Sequence, residues 1–341
     1  MTRPLPGTDA NGHAALRDLV VGGYTPDTGG TGPGLARVRV DTEGRTEIVA
    51  RTAVPGPSFV TAHPRLPLIY AVLERDAGGV AVFADDPAGL RLLAERSSGG
   101  SFPCHAAVDP AGTWLAVANY GDGTVAVFRL SPDGMPGPEP LLFPNEGRGP
   151  DPDRQEGPHA HQAVFGPDGV LYVTDLGTDE VRRFLPDMTP HPAGPVRLTP
   201  GSGLRHFVHR EGHWYVAGEL DGMVGVYDGD WREVARVAAS ESGVRNHPSH
   251  IAVSDDGRRL YVANRGPDTV TTFALDGARP VRVAETPAGG TWPRHFALDG
   301  DRLYVANQRS DAVAVLRLED GVPAATGATV ELGSPSCVLI R

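Results

Sequence analysis

The chain has 341 residues, with 31 Lys and Arg against 42 Asp and Glu for a net charge of −11, and 2 Cys. That length supports a substantial core, the acidic balance without any basic run argues against a nucleic-acid surface, and Cys104 and Cys337 are too few for a disulfide framework. No stretch reaches the ~20 apolar residues of a membrane helix, and the start lacks the apolar segment of a secretory signal, so the expectation is a cytoplasmic protein with free thiols and neither nucleic-acid nor membrane partner.

Residues 1–17 read as a flexible polar arm and 18–341 as one domain. LVVGGYT at 19–25 and GLARVRV at 34–40 have the look of second and third strands of a sheet whose first strand is missing. The pattern then repeats in full: PSFVTAHPRLPLIYAVLERDAGGVAVF at 57–83, PCHAAVDPAGTWLAVANYGDGTVAVF at 103–128, and HAHQAVFGPDGVLYVTDLGTDEVRRF at 159–184. Three more copies follow, LRHFVHREGHWYVAGELDGMVGVY at 204–227, PSHIAVSDDGRRLYVANRGPDTVTTF at 248–273, and PRHFALDGDRLYVANQRSDAVAVL at 293–316. Each is three strands alternating apolar and polar with period two, separated by Gly or Asp turns. The copies end at Phe83, Phe128, Phe184, Tyr227, Phe273 and Leu316, a spacing in the forties apart from the longer step to Phe184.

A repeat of that length made only of strands marks propeller blades, with the fourth strand in the variable stretch before the next copy. LRLLAER at 90–96 and VRVAET at 281–286 fit that outer position. PSCVLIR at 335–341 matches a first strand and then the chain stops. It supplies what 19–40 lacks, so the expectation is an all-β, seven-bladed propeller of four-stranded antiparallel blades, closed by the C-terminal strand joining the N-terminal blade.

Antiparallel pairing puts the start of each first strand and the end of each second strand at the same mouth of the central channel. The first set reads His105, His161, Arg205, His250 and Arg294. The second reads Tyr24, Glu74, Tyr120, Leu176, Glu219, Arg265 and Gln308. Arg205, Arg265 and Arg294 together suit a small anionic ligand, since local donors outweigh distant screened charge. PNEGRGPDPDRQEGPHAH at 144–161 accounts for the long step to Phe184 and should lie over that mouth. No metal-ligand spacing, phosphate loop or nucleophilic-serine motif is present, so no cofactor or metal is expected.

The runs PCHAAVDPAGTWLAVANYGDGTVAVF, RQEGPHAH, LRHFV with GEL, YVANRGPDTV and PRHFALDG with YVANQ resemble the lactonase family of seven-bladed propellers. That family includes propeller-type 6-phosphogluconolactonases and the 3-carboxy-cis,cis-muconate lactonising enzymes. The resemblance implies a lactonase, most simply acting on 6-phosphogluconolactone, with a muconate-type cyclase as the alternative and a non-catalytic binding propeller as the other class. By motif it places the family's His, two Arg and Glu on His161, Arg205, Glu219 and Arg265; the family's usual Asn before the Glu is Gly218 here. Around these four, His105, His159, His250, Arg294, Tyr120 and Gln308 are candidate substrate-binding residues. Glu219 is favoured as the base for an attacking water, with His161 its rival because flanking Arg would depress the carboxylate's pKa. Asn119, Asn264 and Asn307 are expected to bind turn backbone.

Overall fold

The computed structural model describes residues 16–277 and 279–341. Seven four-stranded antiparallel sheets are arranged as blades, six of them with their strands in chain order from channel to rim. The first blade carries Arg17–Gly23, Leu35–Val40 and Thr46–Thr52. Its channel-side strand is Pro335–Ile340, with Leu19 opposite Ile340, Val20 opposite Leu339 and Val21 opposite Val338. The expected closure is therefore present. Helical structure among the described residues amounts to two single 3₁₀ turns, Pro26–Thr28 and Gln308–Ser310. Residues 1–15 of the expected arm lie outside the described residues; Arg17 at its end already pairs with Val40.

The period-two alternation becomes a belt of cores between blades. In Leu68–Leu73, Ile69, Ala71 and Leu73 pack against Val20 and Leu35 of the first blade, whereas Tyr70 and Val72 pack against Val117 and Phe128 of the third. Both faces of such a strand are buried, so it is apolar from end to end and not alternating. The closing strand is sandwiched in the same way: Val338 joins Leu19, Val21 and Tyr304 on one side, and Cys337 joins Val20 and Val60 on the other. Outer strands are looser. Gly89–Ser97 and Val281–Pro287 occupy the places expected for them and leave Leu92 and Val281 exposed at the rim.

One local feature of the channel-side strands governs the site. In six of the seven blades the pairing of first and second strand slips at its start, leaving one extra residue on the first strand. Pro103 pairs Asn119 and His105 pairs Ala118, so Cys104 is the bulged residue. Likewise His161 bulges between Ala160 and Gln162, and Arg294 between Pro293 and His295. A bulge re-aims the side chain it frees.

Candidate active site

The bulges split the first-strand residues into two layers. His161 and Arg294 are the extra residues of their blades, and Cys104 holds the same place in the third. Together with Glu74, Tyr120, Glu219, Arg265 and Gln308 from the second-strand ends, these three line a cavity of about 440 Å³ at one mouth of the channel. That is the size range of small-ligand sites. Arg154, His247, Trp292 and Arg309 complete the wall. The second-strand expectation holds for five of its seven residues; Tyr24 lies deeper, and Leu176 is fully buried.

His105 and His250 do not line the cavity, which corrects the placement expected for them. Each stands one residue further along than the bulge, in register with His206 and His295, and points into a lower layer. There His206 and His250 meet with their Nδ1 atoms 2.9 Å apart, one donating to the other. His250 packs on His295 with ring centroids 4.0 Å apart, and His105 packs on Phe59 at 4.0 Å. Between this layer and the mouth only about 10 Å³ of space remains, so the histidines form a floor under the site.

His159 is also outside the cavity. Its ring stacks on Tyr120 at 4.5 Å and its Nδ1 meets the Tyr120 carbonyl at 2.7 Å, which makes it an anchor for the 144–161 segment. That segment does cross the mouth. It is pinned by Gln155, fully buried, whose amide donates to the Leu176 carbonyl and to Asp179 at 2.8 Å each. The next residue back, Arg154, reaches into the site.

Glu219 is the electrostatic centre. Its Oε1 accepts from Arg154 Nη2 at 2.7 Å and its Oε2 from Arg265 Nη2 at 2.6 Å. Arg205 Nε stands 3.0 Å from Oε2 but out of line for a hydrogen bond, and has no other partner. Burial works to raise the carboxyl's pKa, yet Arg265, Arg205 and Arg154 outweigh it and hold Glu219 well below the ordinary carboxylate value. Arg205, just beneath the cavity and 3% exposed, has its pKa pressed to about 9 by burial and then by Arg265, which leaves it charged at neutral pH.

His161 is buried, and burial and then Arg205 push its pKa well below 6.5, so the ring is neutral. Its Nδ1 lies 3.8 Å from the Cys104 thiol, which donates to the His161 carbonyl at 3.3 Å. Its Nε2 forms no hydrogen bond with any described residue. Arg265 engages Nε with the His247 carbonyl at 3.0 Å and Nη2 with Glu219, and no described residue accepts from its Nη1. Opposite, Tyr24 donates to Glu74 at 2.9 Å and accepts from Arg294, whose other amino group reaches Gln308 at 3.4 Å.

Sequence reasoning missed Arg154, Cys104, His247, Trp292 and Arg309. Arg154 sits in the RQ of the one insertion without a repeat partner. Trp292 had a usable signal, since GGTWP at 289–293 repeats GGSFP at 99–103. Trp292 and Phe102 both take positive φ, 63° and 48°, an uncommon conformation for a bulky residue and one found at functional sites. Asn119 and Asn307 behave as expected, donating to the carbonyls of Thr124 and Ala288 at 3.0 Å, while Asn264 donates to the hydroxyls of Thr269 and Thr271. Among the described residues no group of three or more His, Cys, Asp or Glu is placed to hold a metal ion.

Comparison with known proteins agrees with this architecture. The family model described as "Lactonase, 7-bladed beta-propeller" matches residues 18–340. The 6-phosphogluconolactonase of Bacillus subtilis is 31% identical over 297 residues, covering 82% of this chain and 84% of its own. That of Formosa agariphila is 30% identical over 305 residues, with 82% and 86% covered. The periplasmic gluconolactonase of Pseudomonas aeruginosa superposes with a TM-score of 0.87 at 28% identity, covering 96% of this chain and 99% of that one.

Proposed function

The chain belongs to the seven-bladed β-propeller lactonase family, and from that premise we propose that it hydrolyses 6-phosphogluconolactone to 6-phosphogluconate at the channel mouth. The observation that carries this reading is the charge of the cavity. Four guanidiniums against two carboxylates line it, with Arg205 just below, in a protein of net charge −11. A surplus of guanidinium donors concentrated at one pocket of an acidic protein suits an anionic substrate.

Opening a lactone needs a base for the attacking water and a donor for the oxyanion. The ion pairs favour His161 over Glu219 as the base. Both oxygens of Glu219 are already hydrogen-bonded to guanidiniums, which makes it a weak proton acceptor and a positioning residue for Arg265 and Arg154. His161 is neutral, with Nε2 unengaged, and can accept a proton. Its pKa is held down partly by Arg205, so an anionic substrate that offsets the local positive charge raises its basicity on binding. Arg265 Nη1 is the donor for the carbonyl oxygen as it becomes an oxyanion. When the ring oxygen leaves, His161 returns the proton to it.

The described residues contain no helix long and apolar enough to cross a membrane. The cytoplasm is the compartment we assign, because Cys104 and Cys337 are both buried and unpaired. The test is direct: the rate of 6-phosphogluconolactone opening over its spontaneous rate, beside 3-carboxymuconate. Acceleration on the lactone supports the reading, and turnover of the muconate alone replaces it with the cyclase.

A further inference from the structure

We propose that Arg309, held on the ring of Trp292, is the recognition element for the substrate's phosphate and sets the preference for phosphorylated over unphosphorylated lactone. This rests on the lactonase reading above. Of the four guanidiniums in the cavity wall, Arg154 and Arg265 pair with Glu219, and Arg294 bonds Tyr24 and Gln308. Arg309 is different: its guanidinium carbon lies 3.5 Å from the centroid of Trp292, and among the described residues it has neither an acid partner nor a side-chain hydrogen bond. Its N–H donors are open to a ligand, at the exposed lip of the cavity.

The position is built by backbone. Gln308 N–H donates to the Trp292 carbonyl and Arg309 N–H to the Thr291 carbonyl, at 3.1 Å each, and Thr291 N–H donates to the Ser310 hydroxyl. Trp292 is itself fixed by its N–H to Asp268 Oδ1 at 2.8 Å and by its positive φ. The same zipper recurs in the third blade, Tyr120 to Phe102 and Gly121 to Ser101, and in the fifth, Glu219 to Gly203 and Leu220 to Ser202. Arg309 thus occupies a place where the other two blades carry Gly121 and Leu220. The scaffold does not need an Arg there. Arg75, in the matching place of the second blade, is tied to Glu95; Arg309 is left unengaged where Arg294 and Arg265 converge.

A planar fork with free donors, stacked on an aromatic ring, is suited to bidentate recognition of phosphate. Its location at the outer lip, with His161 and Arg205 deeper, orders the substrate with the phosphate outward and the lactone inward. A neutral hydroxyl in place of the phosphate gains little from Arg309.

The experiment uses the full chain, Arg309→Met and Arg309→Lys. It measures KM and kcat on 6-phosphogluconolactone and gluconolactone, together with calorimetric binding of 6-phosphogluconate and gluconate. Arg309→Met is expected to lower the ratio of kcat/KM for the phosphorylated over the plain lactone by about ten- to hundredfold, mainly through KM, with Lys recovering part of it. A ratio within twofold of the native one overturns the assignment, as does native binding of gluconate as tight as that of 6-phosphogluconate. If neither lactone is turned over, yet 6-phosphogluconate binds selectively and loses that selectivity in Arg309→Met, the lactonase reading falls and this one stands.

Discussion

Five histidines under and beside the site, His105, His161, His206, His250 and His295, make the folded state sensitive to mild acid. Burial is the first cause in every case, and each has its pKa pushed below the ordinary 6.5, His295 to about 3. In the unfolded chain they titrate near 6.5 and bind protons that the folded state refuses. Their contribution to stability is therefore fully present above about pH 6.5 and is lost as the pH falls toward the folded-state values. At pH 5.5 each unfolded histidine gains about 1.4 kcal/mol from protonation, so five together remove at most about 7 kcal/mol relative to neutral pH. That is comparable with the whole stability of a typical folded chain, about 5–15 kcal/mol. Urea unfolding followed by circular dichroism at pH 7.5, 6.5 and 5.5 measures it. The expected result is a steep fall below pH 6.5 with four to five protons taken up on unfolding, roughly one fewer in His295→Gln. A loss of only about 1.4 kcal/mol between pH 7.5 and 5.5, the worth of a single histidine, would show that the five are not held neutral together.

Glu219→Gln leaves Arg205 and Arg265 buried beside a neutral amide, which is expected to cost about 3–5 kcal/mol of stability and most of the activity; a melting temperature within a degree or two of native would contradict this. Because the folded pKa of Glu219 is depressed, its own contribution is present above about pH 4.5 and is lost as pH falls through the folded value. Arg154→Met removes the partly exposed guanidinium from Glu219 and opens the mouth, so KM should rise with a smaller change in kcat. Truncation after Gly333 removes the closing strand and exposes the faces of Leu19, Val20 and Val21 that now pack on Val338 and Cys337. At about 1.5–3 kcal/mol for each large apolar side chain uncovered, the truncated chain should fail to unfold cooperatively in calorimetry or should aggregate on size exclusion.

Much of the architecture was legible because its physics repeats. Strands buried on both faces keep an apolar rhythm, and the turns recur at blade spacing, so PSCVLIR at one end and LVVGGYT at the other could be recognised as two parts of one sheet. The ring of second-strand ends was legible for the same reason: Glu219, Arg265 and Gln308 stand at the ends of second strands that pair with their third strands without a slip. The first strands were harder to read. His105 follows Pro103 by two residues and Arg294 follows Pro293 by one, and sequence alone does not show that a bulge frees the residue directly after the proline. The one-residue offset moves His105 and His250 from the cavity into its floor and brings Cys104 up. Arg154 lay in an insertion with nothing to align it to, and Arg309 occupies a position that varies from Gly to Leu to Arg among blades, so repeat logic had no reason to mark either.

In the proposed mechanism this mouth opens a lactone with His161 taking the proton from water. It is tested most directly by kcat and KM for 6-phosphogluconolactone across pH 5.5–8 with the native chain and His161→Gln. The expected result is a fall in kcat of about 10²–10⁴-fold across that range with KM changed only a few-fold. A His161→Gln enzyme within threefold of native kcat across that range would contradict it.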